Sequence, residues 1–310
     1  MNFENTQIER VNKLITNTDV FNRDIGNGLF RKNTYSYILK DYKNNLFCQS
    51  RDEIIDYFKK NNITWWGGKN PTNHTLSSQI ACLNHLFPIR KDKSAVLSIA
   101  KRINPDIIDV LSISTDKYLP AFIQFEAISE IDHLNEEKLT RGSNCTSIDA
   151  LIYAVDKGGR KLLIPIEWKY VETYGNKNMA NEKKSGETRK IRYTDLIKQS
   201  KQLILIRYDI YYYEPFYQLM RQTLWVEQMI DNNMDETIKA EYYIHVQVIP
   251  NDNEQLLDKI YKCSGKKMED TWRECIKDQS KYIIISPEEL LKPIYDYSHC
   301  LVYYLKKRYW

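Results

Sequence analysis

"TSIDALIYAVDKGGRKLLIPIEWKYVE", residues 146–172, holds two apolar runs on either side of Lys-Gly-Gly-Arg. Runs of this length, rich in Ile, Leu and Val and separated by glycines, predict a β-hairpin. Asp149 interrupts the first run, and Glu167 and Lys169 interrupt the second. Charges beside a core are costly unless they are paired or bind a metal, so these three positions need an explanation.

The period of two along a strand predicts which residues of the hairpin share a face. The even positions of the second run form an unbroken apolar face: Leu162, Ile164, Ile166, Trp168 and Tyr170. Glu167 and Lys169 are odd and point the other way, and Asp149 is odd in the first run. Residues directly opposite each other in an antiparallel pair share a face, so even must pair with even.

That pairing rule restricts the loop between the two strands. A two-residue Gly158–Gly159 turn would pair even with odd positions. A three-residue loop, residues 157–159 with a left-handed Gly159, pairs Asp156 with Arg160. We predict this loop, another of odd length, or a compensating bulge. Asp149 then lies opposite Glu167, with Lys169 diagonal to both.

Two facing carboxylates about 5 Å apart repel each other, so the pair needs a shared proton or a bound divalent cation. A lysine beside them can orient a water or stabilise an oxyanion. Two acids, a lysine and a metal are the parts that phosphodiester hydrolysis requires. The alternative is a surface hairpin whose outer face carries ordinary solvated charges, which contribute little.

An aspartate, a hairpin and then Glu-x-Lys on an apolar strand resemble the PD-(D/E)XK nuclease superfamily. Here the matching residues are Asp149 and Glu167-Trp168-Lys169, with Ile148 where the family often has proline. Longer phrases resemble a bacterial branch of restriction endonucleases. In chain order they are "NHTLSSQIACLNHLFP", "FEAISE", "SIDALI", "IPIEWKYVETY" and "PFYQLMRQTLW".

The resemblance implies a restriction-endonuclease-like core, with a mixed sheet of about four or more strands flanked by helices. It also implies Mg²⁺ as cofactor, with Mn²⁺ as a substitute. Asp149, Glu167 and the backbone carbonyl of Trp168 would be metal ligands, and Lys169 would orient the attacking water or stabilise the transition state. A further acid usually comes from a helix before the hairpin. Glu126 and Glu130 are the candidates, and the position of Glu126 within "FEAISE" favours it; the alternative is a solvated helix acid.

Basic residues cluster directly after the Glu-x-Lys strand. Residues 176–207 hold nine Lys or Arg against three acids, a surplus of six charges, whereas the whole chain has a net charge of only +4. Such clustering is typical of a phosphate-binding surface, although a solvated lysine-rich loop has the same composition. The predicted nucleic-acid contacts are Lys177, Lys183, Lys184, Arg189, Lys190, Arg192, Gln199 and Arg221.

The remaining features of the 310-residue chain limit the class of fold and the kind of protein to which it can belong. Helical and strand patterns alternate around the hairpin, which predicts an α/β (α+β) layer fold. We predict a mostly helical N-terminal extension over residues 1–70 and a nuclease domain over residues 71–310. No apolar run is long enough for a membrane span, and the polar N-terminus is not a secretory signal, so we expect a cytoplasmic protein.

Together these patterns predict a Mg²⁺-dependent endodeoxyribonuclease acting in restriction or phage defence. Its expected partners are double-stranded DNA and a cognate DNA methyltransferase acting on the same sites. A homodimer would suit cleavage of both strands of a palindrome. The alternative is a non-catalytic nucleic-acid-binding or regulatory module that keeps a nuclease-like fold.

Overall fold

The computed structural model describes residues 2–17, 19–116, 119–137, 141 and 145–310. The α-helices are α1 (Phe3–Asn17), α2 (Arg51–Lys60), α3 (Ser78–Leu86), α4 (Lys93–Ile103), α5 (Lys183–Gln199), α6 (Phe216–Asp231), α7 (Glu254–Leu257), α8 (Met268–Arg273), α9 (Pro287–Leu291) and α10 (His299–Arg308). The strands are β1 (Gly28–Phe30), β2 (Asn33–Tyr35), β3 (Ile107–Leu111), β4 (Ser114–Asp116), β5 (Leu119–Ala121), β6 (Ile123–Ala127), β7 (Ile148–Asp156), β8 (Lys161–Trp168), β9 (Tyr242–Tyr243), β10 (His245–Val248) and β11 (Tyr282–Ile285).

Seven strands form one mixed sheet, and the β7–β8 hairpin lies at its centre. β3 and β6 both pair antiparallel with β7, at its last and first residues respectively. On the other side, β9 and β10 pair in parallel with β8, and β11 follows in parallel with β10. The predicted mixed α/β fold, with a sheet flanked by helices and a helix at the N-terminus, is confirmed.

The hairpin has the predicted odd-length loop. Asp156 N–H donates to the Arg160 carbonyl at 3.0 Å, and Gly159, with φ +77°, occupies the left-handed position. Ala150 pairs with Ile166 and Val155 with Lys161, so even positions face even ones. Continued by one residue, this register places Asp149 opposite Glu167, as the parity argument predicts.

Both faces of the hairpin are buried, which excludes a solvated outer face. The even face packs in one core with the N-terminal helices, α9 and α10. The odd face, including Leu151 and Leu163, packs in a second core with α5 and α6. Glu167 and Lys169 therefore lie under helices, at 3% and 4% exposure. Charges this deeply buried require specific partners.

Two local details differ from the expectations. The sequence of residues 118–132 is compatible with a strand or a helix, and the structure has the strand β6 around Glu126, so Glu126 does not lie on the helix that the resemblance implies. The basic segment after β8 is not a loop, because most of it forms the 17-residue helix α5.

The N-terminal residues share a core with the sheet. Phe3 and Val11 of α1 belong to the same buried cluster as Trp168, and the Tyr170 hydroxyl donates to Gln7 at 3.0 Å. The division at residue 70 stays a prediction. None of the helices in the described parts of the chain combines the length and the apolar character that crossing a bilayer requires.

Candidate active site

One cleft of about 600 Å³ collects the acids and the lysine of the predicted site. It opens where β6 and β8 end and β7 begins, and α3 and α6 form its walls. Four predicted residues line it: Glu126, Asp149, Glu167 and Lys169. Glu130 is not among the lining residues, because its backbone N–H and its carboxylate are bonded to the segment at Glu236 and Thr237.

Asp149 is fixed by the backbone of the neighbouring strand. Its Oδ2 accepts a hydrogen bond from the Trp168 N–H at 2.8 Å. Lys169 N–H bonds to the Val248 carbonyl on the β10 side, and successive residues of a strand alternate between the two sides. The N–H and carbonyl of Trp168 therefore point toward β7, where Asp149 lies.

Glu167 and Lys169 form a buried ion pair that α6 supports. Lys169 Nζ lies 2.7 Å from Glu167 Oε1 and donates to Gln218 Oε1 at 2.5 Å. Gln218 Nε2 donates to the same glutamate oxygen at 2.6 Å, and Gln222 Nε2 donates to Glu167 Oε2. Every polar atom of the pair thus has a partner or faces the cleft, which offsets the cost of burial.

Glu126 has an unusual backbone conformation for a non-glycine residue. Its φ is +48°, in the left-handed region, where an L side chain costs about 1–2 kcal/mol. Gln79 Nε2 donates to Oε1 at 2.6 Å and the Ser147 hydroxyl donates to Oε2 at 2.9 Å. Arg141 Nε donates to the Glu126 carbonyl at 2.8 Å. These bonds hold the carboxylate toward the cleft, and strain of this kind clusters at functional sites.

The acids and the lysine shift each other's protonation. Burial and the nearby Glu167 and Glu126 charges hold the pKa of Asp149 well above its usual range. Burial also raises the pKa of Glu126, although the Gln79 and Ser147 hydrogen bonds oppose that shift. Burial alone would lower the pKa of Lys169, but the neighbouring acids, Glu167 foremost, hold it well above its usual value. Lys169 is therefore charged at neutral pH.

The carboxylate oxygens of the cleft suit a hard cation that completes its coordination shell with oxygens of water or phosphate. Within the described ranges, no three His, Cys, Asp or Glu side chains are grouped closely enough to hold a metal ion by themselves. Glu126 and Glu167 are instead hydrogen-bonded to neighbouring side chains. Asp149 Oδ1 accepts no hydrogen bond from any described residue, and Mg²⁺ commonly takes only one or two protein carboxylates. The residues present thus fit Mg²⁺, bound with substrate oxygens.

The predicted phosphate-contacting residues divide into three groups. Arg221 lines the cleft but donates to Glu136 at 3.1 Å and to Thr146 at 3.0 Å. Lys177, Arg189 and Arg192 pair with acids: Lys177 and Arg189 with Glu182, and Arg192 with Glu137. In the described structure no ion pair involves the α5 side chains Lys183, Lys184 and Lys190. Gln199, at the exposed end of α5, does not line the cleft.

Several residues of the site were not predicted. Gln222 contacts Glu167, and Gln79 and Ser147 contact Glu126. A usable signal for Gln222 was its spacing of four residues from Gln218, which places both amides on one face of a helix. Ser147 directly precedes β7, but nothing in its local sequence indicates a carboxylate partner.

The mixed sheet flanked by helices is consistent with the restriction-endonuclease-like class that the sequence resemblance implies. A family model matches residues 14–310, and its description is "Restriction Endonuclease associating with ARP" (REase-ARP). The chain belongs to this family. No curated protein and no solved structure matches the chain.

Proposed function

We propose that the chain is a Mg²⁺-dependent endodeoxyribonuclease of the PD-(D/E)XK superfamily, acting in restriction or phage defence. One observation carries the proposal: Glu126, Asp149, Glu167 and Lys169, separated by up to 43 positions, line the same cleft. Membership of a restriction endonuclease family supports DNA as the substrate. Mn²⁺ is the expected substitute metal.

Asp149, Glu167 and the Trp168 carbonyl would bind the cation directly, and Glu126, whose oxygens already accept bonds from Gln79 and Ser147, would complete the set of acids through a coordinated water. When bound, Mg²⁺ would polarise the scissile phosphate and lower the pKa of a coordinated water. Asp149 Oδ1 is the protein oxygen most open to it. Glu167 would have to exchange a hydrogen bond from Gln218 or Gln222 for the cation, while the other amide keeps its carboxylate oriented.

Lys169 supplies the positive charge of the site. Its ammonium group has a fixed position because Glu167 and Gln218 both accept hydrogen bonds from it. The third ammonium hydrogen, on the side of Tyr174, would turn to an attacking water or to the phosphate oxygens, whose charge increases in the transition state. Lys169 is buried, and a preorganised buried charge stabilises that state more than the same charge would in bulk water.

The test mixes purified protein with unmodified plasmid, in Mg²⁺ and in EDTA, alongside Asp149→Ala and Lys169→Ala. We expect cutting by the wild type in Mg²⁺ only, and its loss in both variants. Metal-dependent cutting that survives both substitutions would reject the site assignment. Tight binding of DNA without cleavage, methylated or unmethylated, would support the non-catalytic module instead.

A restriction role adds two further expectations. If the enzyme cuts both strands of a symmetric sequence, two copies related by a two-fold axis would present one cleft to each strand. Host DNA would need protection, which a cognate methyltransferase would supply. Cleavage of unmodified plasmid together with resistance of the same plasmid prepared from the native host would support this role.

A further inference from the structure

A second cavity adjoins the catalytic cleft and shares Trp66 with it. Its volume is about 590 Å³, within the size range of small-molecule sites. The β1–β2 hairpin forms one wall and residues 66–73 form the other. We call it the hairpin pocket.

The hairpin pocket contains a stack of aromatic rings. The Phe30 and Trp66 rings lie 5.7 Å apart and nearly parallel, at 21°. His74 packs edge-on against Phe30 at 4.7 Å, and the Arg31 guanidinium lies 5.4 Å from the Phe30 ring centre. Trp66 nevertheless remains 46% exposed. Its neighbour Trp65 differs, since it is 5% exposed and stacked on Phe58 at 3.7 Å.

The turn that carries Trp66 is tied to the catalytic cleft. Gly68 N–H donates to the Trp65 carbonyl at 3.2 Å, and Gly67 and Gly68 have φ angles of +93° and +152°. Trp66 N–H donates to Gln79 Oε1 at 3.0 Å, and the other end of the same amide donates to Glu126. One glutamine side chain thus connects the backbone of Trp66 to a carboxylate of the cleft.

The charge of the hairpin pocket favours a polyanion. Three basic residues, Arg31, Lys40 and Lys69, line the pocket, and none of its lining residues is acidic. All three side chains are exposed, and none forms an ion pair with a residue that the structure describes. An aromatic surface flanked by unpaired cations is the arrangement that binds an unstacked base between two phosphates.

We propose that the hairpin pocket binds an unstacked nucleobase of the DNA strand whose phosphate lies in the cleft. Trp66 stacks on the base, and Arg31, Lys40 and Lys69 contact the phosphates beside it. The base must leave the duplex stack, because neighbouring bases cover both of its faces inside the duplex and the indole cannot reach it there. This inference rests on the proposed function in that the cleft binds DNA.

The test measures binding in EDTA, so that no DNA is cut. Two fluorescent duplexes are compared by anisotropy, one fully paired and one with a single unpaired 2-aminopurine. We expect the wild type to bind the unpaired duplex more tightly and to change the 2-aminopurine emission. Trp66→Ala should weaken that binding roughly 5- to 100-fold and abolish the preference, whereas Trp66→Phe should keep most of both.

Tyr303→Ala is the matched control, since Tyr303 is an exposed aromatic residue that lines neither cavity. It should bind both duplexes as the wild type does. Melting temperatures of all variants show whether each is folded. Wild-type affinity of folded Trp66→Ala for both duplexes, or unchanged 2-aminopurine emission, would overturn the proposal.

These measurements distinguish a failure of the hairpin-pocket proposal from a failure of the proposed nuclease function. A Trp66-dependent preference without any cleavage in Mg²⁺ would support the hairpin pocket and reject the nuclease. Cleavage in Mg²⁺ with no effect of Trp66→Ala on binding would support the nuclease and reject the hairpin pocket.

Discussion

At the residue scale, Asp149 is the acid whose charge is least compensated. It accepts one backbone hydrogen bond and faces Glu167 across the hairpin, whereas Glu167 has Lys169 and two amides. Burial and the neighbouring carboxylates therefore raise the pKa of Asp149. Lys169 is the nearby positive charge, but it is already paired with Glu167. A site with more buried acids than cations is suited to a ligand that supplies further positive charge.

The first prediction concerns the stability of the metal-free protein. When the pKa of an aspartate is raised in the folded state, the protein loses stability as the pH increases. The loss begins near the ordinary aspartate pKa of 3.8 and is complete above the raised pKa. Asp149→Asn removes that loss and can still accept the Trp168 hydrogen bond. We expect its melting temperature in EDTA to exceed that of the wild type by a few degrees at pH 7–8, and to match it near pH 4.

Asp296→Asn, at an exposed aspartate, is the control and should follow the wild type at every pH. A melting temperature of Asp149→Asn below that of the wild type at neutral pH would contradict the account. The same holds for a difference that grows toward acid pH.

The second prediction tests how Glu167 is oriented. Gln222 is 1% exposed, and its amide donates to Glu167. Gln222→Met keeps the volume but removes the donor. We expect a 10- to 100-fold fall in cleavage at limiting Mg²⁺, as is typical when a residue that orients a metal ligand is lost. Cleavage rates over a Mg²⁺ series provide the measurement.

Gln228→Met serves as the control, because Gln228 lies on the same helix but does not line the cleft. Equal activity of the two variants across the Mg²⁺ series would show that the Gln222 amide does not position the metal site.

At the element scale, the β7–β8 hairpin could be predicted because parity restricts its register to odd-length loops. A slip of one residue would move Leu162, Ile164 and Ile166 together to the opposite face of the sheet. The neighbouring strand β6 was harder to predict. Phe122, Phe125 and Ser129 have a helical spacing, yet pairing with β7 prevails over that local pattern. The left-handed Glu126 follows from its side-chain partners, which are distant in sequence.

Helix α5 provides the third prediction. Arg189 and Arg192 already pair with acids, whereas Lys184 and Lys190 form no ion pair with a described residue. If α5 contacts the DNA backbone, Lys184→Ala and Lys190→Ala should each reduce the slope of log K against log salt by about 1. Binding titrations in EDTA at several salt concentrations measure the slope.

Lys101→Ala, at an exposed lysine of α4, is the control and should leave the slope unchanged. A wild-type slope in both α5 variants would show that this helix does not contact phosphates.

At the scale of the whole molecule, the sheet separates two hydrophobic cores, and the cleft lies at the edge where helices from both meet. α3 contributes Gln79 from one side, and α6 contributes Gln218 from the other. Both are distant in sequence from the hairpin, so their contacts depend on tertiary packing that no local pattern encodes. Asp149, Glu167 and Lys169 were predictable because β7 and β8 carry the two acids and Lys169 directly follows β8.

The whole-molecule arrangement also relates the two proposed sites. The cleft contains the acids, and the hairpin pocket beside it contains exposed aromatic and basic side chains. Gln79 accepts a hydrogen bond from Trp66 of the hairpin pocket and donates one to Glu126 of the cleft. A DNA strand that crosses from one to the other would have a phosphate at the acids and a base at Trp66.

The most direct test of the central claim is the single-turnover rate at which Asp149→Asn cuts unmodified plasmid in Mg²⁺, relative to the wild type. DNA binding is measured on the same samples. We expect a rate at least about 100-fold lower, with DNA binding changed only a few-fold, because the substitution would remove a ligand of the proposed metal site and leave the fold intact. Cutting at the wild-type rate would contradict it.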